Sequence, residues 1–333
     1  PSPATADALR RAETDLLSAL LAAEPVEPPA ALGPAHATLP GRWRAEAAQC
    51  GRLVLISPNP VSLYSVAVLE LCLRHGLPVA AILVRSFSLQ RLAQEYKRDG
   101  LRLPRKVWRK LVLRADENAV TDGVSMKATV DALAPRHRDI RRTARAHGIP
   151  LLSIDGFVGC GAALRRLAPD LGLFTGGGMV DADTIAAFSR GVINVHLGQL
   201  PHYKGMDVVQ APLLEARRTL GASAHLMVPQ LDAGPVLLRT DADAFAFTSL
   251  GALRNSLACM LPFMLVDAAL GLCSGRLDPL DQPPAGRQFF ITHPRLQAII
   301  DALLKRRGGQ SPSSAGSLEQ RVGAALAAVG PGR

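Results

Sequence analysis

Leucines at helical spacing open the chain. Leu9, Leu16, Leu17, Leu20 and Leu21 fall on one face over residues 4–23, and Pro25, Pro28, Pro29 and Pro34 then break the pattern. This predicts a short accessory helix followed by a stiff linker. From Gly51 the period changes. The unbroken apolar run Leu53-Val54-Leu55-Ile56-Ser57 reads as a buried strand, and after Pro58-Asn59-Pro60 helical spacing resumes to about His75. Residues 79–84 predict a second strand, and a helix is expected near 137–147, ending at Gly148-Ile149-Pro150.

The alternation then becomes regular. Strands are expected at 151–154, 171–175 and 192–196, with helices at 160–167 and 183–189 between them. Beyond Met206 the pattern predicts a helix to about Arg218, strands at 223–228 and 235–240, and one or two packed helices over 250–272. A last strand at 288–292 and a helix at 295–305 follow, and a Gly/Ser/Pro-rich tail ends in a weak Ala/Leu helix. Strands alternating with helices imply an α/β fold with a mostly parallel sheet covered on both faces, in which ligands bind beyond the carboxyl ends of the strands. The chain divides on this reading into a helical extension and Pro-rich linker (1–48), a catalytic α/β domain (49–240) with a basic insert at about 88–130, a helical subdomain (241–306) and a flexible tail (307–333).

Composition narrows the class. At 333 residues, 48% apolar and 20% charged, the chain has material for a substantial core. No uninterrupted apolar run approaches the roughly 18 residues that cross a bilayer, and charged residues Asp7, Arg10, Arg11, Glu13 and Asp15 interrupt the first segment. No membrane span and a cytoplasmic address are expected. Five scattered cysteines without a C-x-x-C pair fit reduced, structural thiols better than disulfides or a metal site. The net charge of +10 is concentrated in 97–114 and 136–145, which keeps an anionic or nucleic-acid partner open. Aromatic residues make up only 4%, too few for the stacking platform of a single-strand binder.

The chemistry concentrates at the end of one expected strand. Asn194 and His196 are two residues apart, so both side chains face the same side, and Asp232 follows on a later loop. An amide donor, a titratable ring and a carboxylate together suit acyl transfer, which must stabilise an oxyanion and remove a proton. The glycine run Gly176-Gly177-Gly178, ending the preceding strand, lacks Cβ atoms and lets backbone approach a flat ring closely.

These residues carry a resemblance. Asn194-Val195-His196 with Leu197-Gly198-Gln199-Leu200-Pro201-His202-Tyr203-Lys204-Gly205, the Gly221-x-Ser223-x-His225 element and Leu231-Asp232-x-Gly234-Pro235 resemble the catalytic core of the folate-dependent formyltransferases. That family's pattern is N-x-H-P-S-L-L-P-x-Y-x-G, then G-x-T-x-H, then D-x-G. Ala146-His147-Gly148-Ile149-Pro150 and Ala168-Pro169-Asp170 fit as well, over roughly residues 51–240. Leu197, Gly198 and Gln199 depart from the Pro, Ser and Leu usual there, which bears on pocket shape and acceptor choice.

The resemblance implies a Rossmann-like doubly wound sheet and an enzyme that moves a formyl group from 10-formyltetrahydrofolate to an amine, without a metal. It implies Asn194, His196 and Asp232 as catalytic groups. Gly176, Gly177, Gly178, Met179, Val180 and Asp232 are implied at the cofactor, and Tyr203, Gly205 and His225 at the substrate. The acceptor expected is a small anionic amine, such as an amino sugar nucleotide or specialised metabolite. A tRNA acceptor fits less well, since the residues beyond Pro283 are too few and too helical for the family's added barrel domain. A homodimer remains open. Hydrolysis of formyl-folate on the same site, and a non-catalytic folate- or RNA-binding module, are the alternatives.

Blander roles compete for several residues. From the residues alone His225 reads as a core hydrogen-bonding residue that the resemblance places at the site, His202 reads as exposed, and Tyr203 and Gly205 read as loop-shaping rather than chemical. Asp183 is expected to cap the helix it opens, with Asp181 beside it. Ser57 and Ser62 fit turn and helix-start chemistry at least as well as an acceptor contact.

Overall fold

Leu53, Leu55 and their neighbours Val54 and Ile56 are all buried, but they serve different cores. Odd positions of this strand face one helical layer and even positions the other, which is why the sequence shows a continuous apolar run instead of alternation. The computed structural model describes residues 3–26, 32–36, 46–85, 124–176, 178–309 and 318–329. The basic run 97–114 and Gly177 lie outside the described residues.

Nine strands are present among these: β1 (Leu53–Ser57), β2 (Val79–Arg85), β3 (Leu151–Ile154), β4 (Leu171–Phe174), β5 (Val192–His196), β6 (Tyr203–Gly205), β7 (Thr219–Leu226), β8 (Val236–Asp243) and β9 (Arg287–Phe289). Seven form one sheet in the order β3-β2-β1-β4-β5-β7-β8. The first five are parallel, and β7 and β8 are antiparallel additions. The chain steps outward from β1 to β3, then restarts on the other side of β1 with β4. The sheet is therefore doubly wound and mostly parallel, as the alternation predicts.

The helices are α1 (Pro3–Ala22), α2 (Leu63–Arg74), α3 (Met126–Leu133), α4 (Ile140–Ala146), α5 (Gly161–Leu167), α6 (Ala182–Ile185), α7 (Ala211–Leu214), α8 (Leu250–Cys273), α9 (Pro294–Arg307) and α10 (Leu318–Val329). Helix α8 is continuous through Pro262 and packs on β5, β7, β8 and α2. Although Arg254 and Asp267 interrupt its apolar run, it is long and apolar enough by composition to cross a bilayer. Yet 89% of its most apolar window is buried inside the fold, so its apolar surface is already spent on the core. Helix α1 packs on α9, with Leu20, Ile299 and Leu303 forming a small core of their own.

Three elements depart from the sequence pattern. The helix expected from Met206 to Arg218 is reduced to the single turn α7. The residues before it pair instead as β6 with β9, far away in sequence, and Arg217 and Arg218 lead into β7. Residues 126–133, expected at the end of the basic insert, form α3, capped by Ser125, with Val130 and Leu133 fully buried. The cap of α6 is Asp181, which accepts the Thr184 N–H at 3.1 Å, while Asp183 pairs with Arg165 at 2.7 Å.

Candidate active site

Strand β5 presents Asn194 and His196 on one face, and antiparallel β7 sets His225 opposite Asn194 and Ser223 opposite His196. The Asn194 amide donates to His225 Nε2 at 3.2 Å, and His225 Nδ1 donates to the Leu226 carbonyl at 3.0 Å. The second bond fixes the tautomer, leaving Nε2 as acceptor. Burial pushes the His225 pKa down to about 4 against the opposing pull of Asp232, so the ring is neutral at physiological pH. An amide has two N–H donors, and His225 uses one of those on Asn194.

Asp232 stands between two imidazoles. Its Oδ2 lies 3.6 Å from His196 Nδ1 and its Oδ1 3.7 Å from His225 Nε2, electrostatic contacts slightly longer than hydrogen bonds. The carboxylate is held by the Gly205 N–H at 2.9 Å, and Gln282 donates to the carbonyls of Asp232 and Gly234 at 3.0 and 2.6 Å. Asp232 has a left-handed φ of 50°, a conformation that non-glycine residues adopt only when the surroundings impose it.

The departure at Gly198 has a direct steric counterpart. His196 Nε2 donates to the Tyr203 carbonyl at 2.8 Å, across Gly198. A Cβ at position 198 would lie 2.7 Å from that nitrogen and 2.6 Å from the same carbonyl oxygen, closer than real Cβ atoms come. Ser223 pins this loop from β7, donating to the Gly198 carbonyl at 2.9 Å and accepting the Leu200 N–H at 3.1 Å. Both His196 nitrogens thus face protein oxygens.

A pocket of about 230 Å3 opens in front of β5, lined by Asn194, His196, Gly205, Asp207, Arg254 and Leu261 among others. Among the described residues, Asp232, His225, Gly176 and Gly178 lie outside its lining. The Tyr203 ring, expected at the substrate, is buried against Phe289, and its hydroxyl donates to Glu215 at 2.7 Å. Gly176 and Gly178 take φ values of 99° and 133°, open to little but Arg85, at the end of the strand beside Asn194. Met179 is exposed there, and Val180 turns into the core against Phe157.

Ser57, fully buried, joins Ser65 (2.9 Å) and Ser65 joins Thr175 (2.6 Å) where β1 and β4 diverge, while Ser62 caps α2. Both serines thus do turn and helix-start work. Sequence reasoning passed over Asp207 and Arg254, because nothing local marks them: they meet across 47 positions.

Residues 160–268 match the family described as formyl transferase. The segment holds Asn194, His196, His225, Asp232, Asp207 and Arg254. Methionyl-tRNA formyltransferase of Mycobacterium sp. (strain KMS) is 32% identical over 158 residues, covering 46% of this chain and 50% of that protein. Its counterpart in Anaeromyxobacter dehalogenans (strain 2CP-C) is 31% identical over 197 residues, covering 56% and 59%. The chain spans about half the length of the curated relatives it matches. Among solved structures, glycinamide ribonucleotide transformylase 1 from Symbiobacterium toebii aligns with a TM-score of 0.46 at 15% identity, over 70% of this chain and 95% of the other.

Proposed function

We propose that the protein is an N-formyltransferase that moves a formyl group from 10-formyltetrahydrofolate to an amine, with the cytoplasm as its expected compartment. The observation that carries this reading is the Asn194 amide with one N–H uncommitted to His225, at a pocket mouth backed by the His196–Asp232 pair. The donor supplies a formyl carbon already attached to nitrogen. Asn194 donates its second N–H to the oxygen that becomes negative when the amine attacks that carbon. His196 takes the proton lost by the amine at Nδ1, where the carboxylate of Asp232 faces it, and the departing nitrogen of the donor regains a proton. Gly176 and Gly178 follow the strand next to Asn194 with positive φ, and their lack of Cβ atoms leaves room for a flat ring. This stretch, with Asp232, is the proposed donor-binding edge.

The acceptor is proposed to be a small amine entering the pocket beside Asn194. The relatives' name favours a second acceptor, the aminoacyl end of methionyl-tRNA. Incubation with 10-formyltetrahydrofolate and a panel of amines, charged tRNA among them, followed by mass spectrometry, tests both. A gain of one formyl group on an amine is expected. Release of formate with no acceptor modified would replace transfer with hydrolysis, and no loss of formyl from the donor under any condition would end the enzymatic reading.

A further inference from the structure

The pocket in front of β5 holds an opposite-charge pair that the chemistry above does not use. Asp207 and Arg254 both line it together with Asn194 and His196. Arg254, on the second turn of α8, donates from Nη2 to Asp207 Oδ1 at 3.1 Å. Asp207 also accepts the Thr292 N–H at 2.9 Å, and its φ of 53° is left-handed. Gln210, fully buried, completes the arrangement. With its amide oriented to satisfy both neighbours, it donates to the Asp207 carbonyl at 2.9 Å and accepts from Arg254 Nη1 at 3.3 Å.

A brace for the loop after β6 would need only the aspartate and its backbone bonds. Here the arginine side chain remains 41% exposed while the aspartate is 14% exposed, so the guanidinium faces open space from its place on the wall. A guanidinium has five N–H donors in a rigid fork, and the contacts to Asp207 and Gln210 leave others for a planar anion. A pair of opposite charges in one small pocket matches a molecule that carries both signs close together. The volume of about 230 Å3 lies below the roughly 300–1,000 Å3 of pockets for drug-sized ligands, so the whole complement has to be small.

We propose that Asp207 and Arg254 select a small zwitterionic acceptor, with the amine drawn in as ammonium against Asp207 and an adjacent carboxylate held by Arg254. This rests on the formyltransferase reading and narrows it to acceptors of the free amino-acid type. The ammonium gives up one proton to solvent before it attacks, and His196 with Asp232 takes the second as the amine adds to the formyl carbon. A sugar-nucleotide amine or an aminoacyl ester lacks a carboxylate next to its amine, so Asp207 and Arg254 cannot hold both charges of either at once.

The test compares free L-amino acids with their own carboxamides and methyl esters as acceptors for formyl groups from 10-formyltetrahydrofolate, while donor binding is followed separately by folate fluorescence. The intact protein is expected to show a KM at least tenfold lower for the free acids than for the matched amides. Arg254→Gln is expected to bring that ratio close to one by raising the acid KM. Equal KM values for acid and amide in the intact protein overturn the proposal without any variant, as does an Arg254→Gln protein that keeps the preference. Formylation of charged tRNA or sugar amines alone overturns the acceptor class but leaves the transferase reading standing. Absence of both folate binding and formyl loss overturns the two together.

Discussion

An amide N–H stabilises a developing oxyanion only if its direction is set before the reaction, and Asn194 has its direction set by a histidine that cannot readily take up a proton. Replacing Asn194 with Ala is expected to raise the barrier to formyl transfer by about 2.7–4 kcal/mol, with little change in urea midpoint. Measuring kcat and the midpoint on the same preparation checks this; near-normal turnover would remove Asn194 from the site. Gly198→Ser restores the residue usual in the family but drives a Cβ into the His196 ring. Displacement of a catalytic group by about 1 Å costs on the order of 10²-fold, so kcat should fall by roughly ten- to a hundredfold. The bonded Nε2–H proton of His196 should shift or vanish in NMR spectra, and an unchanged signal would show that the loop had absorbed the added atoms.

His225 makes a prediction in pH. Its folded pKa of about 4 lies below the ordinary value of 6.5, so between those values the unfolded chain binds a proton that the folded chain does not. Stability therefore holds above about pH 6.5 and falls as the pH drops toward 4, by on the order of 2–3 kcal/mol from this group. Urea unfolding at pH 7 and pH 4.5 should show a loss that shrinks in His225→Gln.

At the scale of elements, several exposed features are closed by segments from the far end of the chain. Residues 32–36 run along β8, with the His36 N–H on the Arg239 carbonyl at 2.6 Å and the Arg239 N–H on the Pro34 carbonyl at 2.9 Å. They cover an edge that would otherwise present unpaired backbone groups. The same segment delivers His36 to Asp267 in the middle of α8, where Nε2 and Oδ2 are 2.5 Å apart and both side chains are buried. Burial raises the Asp267 pKa, so His36 is what makes a carboxyl tolerable in this helix. His36→Ala should cost about 3 kcal/mol in urea unfolding, since it strands a buried acid; a cost below 1 kcal/mol would mean that the carboxyl finds water instead. The strands β1 to β5 were legible because each carries an apolar run bounded by Gly or Pro. Strand β6 and the short α7 were not, because Pro212 and a partner at Arg287–Phe289 override the apolar spacing after Met206.

Across the whole molecule, α1 and α9 meet although nearly the full chain separates them, and they share a core distinct from the two flanking the sheet. Leu20→Asp should therefore speed amide exchange in α1 and α9 and leave β5 protected, with formyl transfer retained. Equal acceleration in β5 would show one cooperative unit.

The sequence by itself determined the alternation that builds a doubly wound sheet and the spacing that puts Asn194 and His196 on one face, because a strand's period of two and a buried strand's apolar run are local properties. Tertiary structure decided which groups meet at the candidate site. Asn194 is oriented by a histidine from β7, His196 is turned by a carbonyl that only a glycine at 198 allows past, and Asp207 meets Arg254 from another helix. Each of those contacts joins positions whose separation leaves no periodicity to read, and only the folding of the sheet and α8 against it brings them within bonding distance.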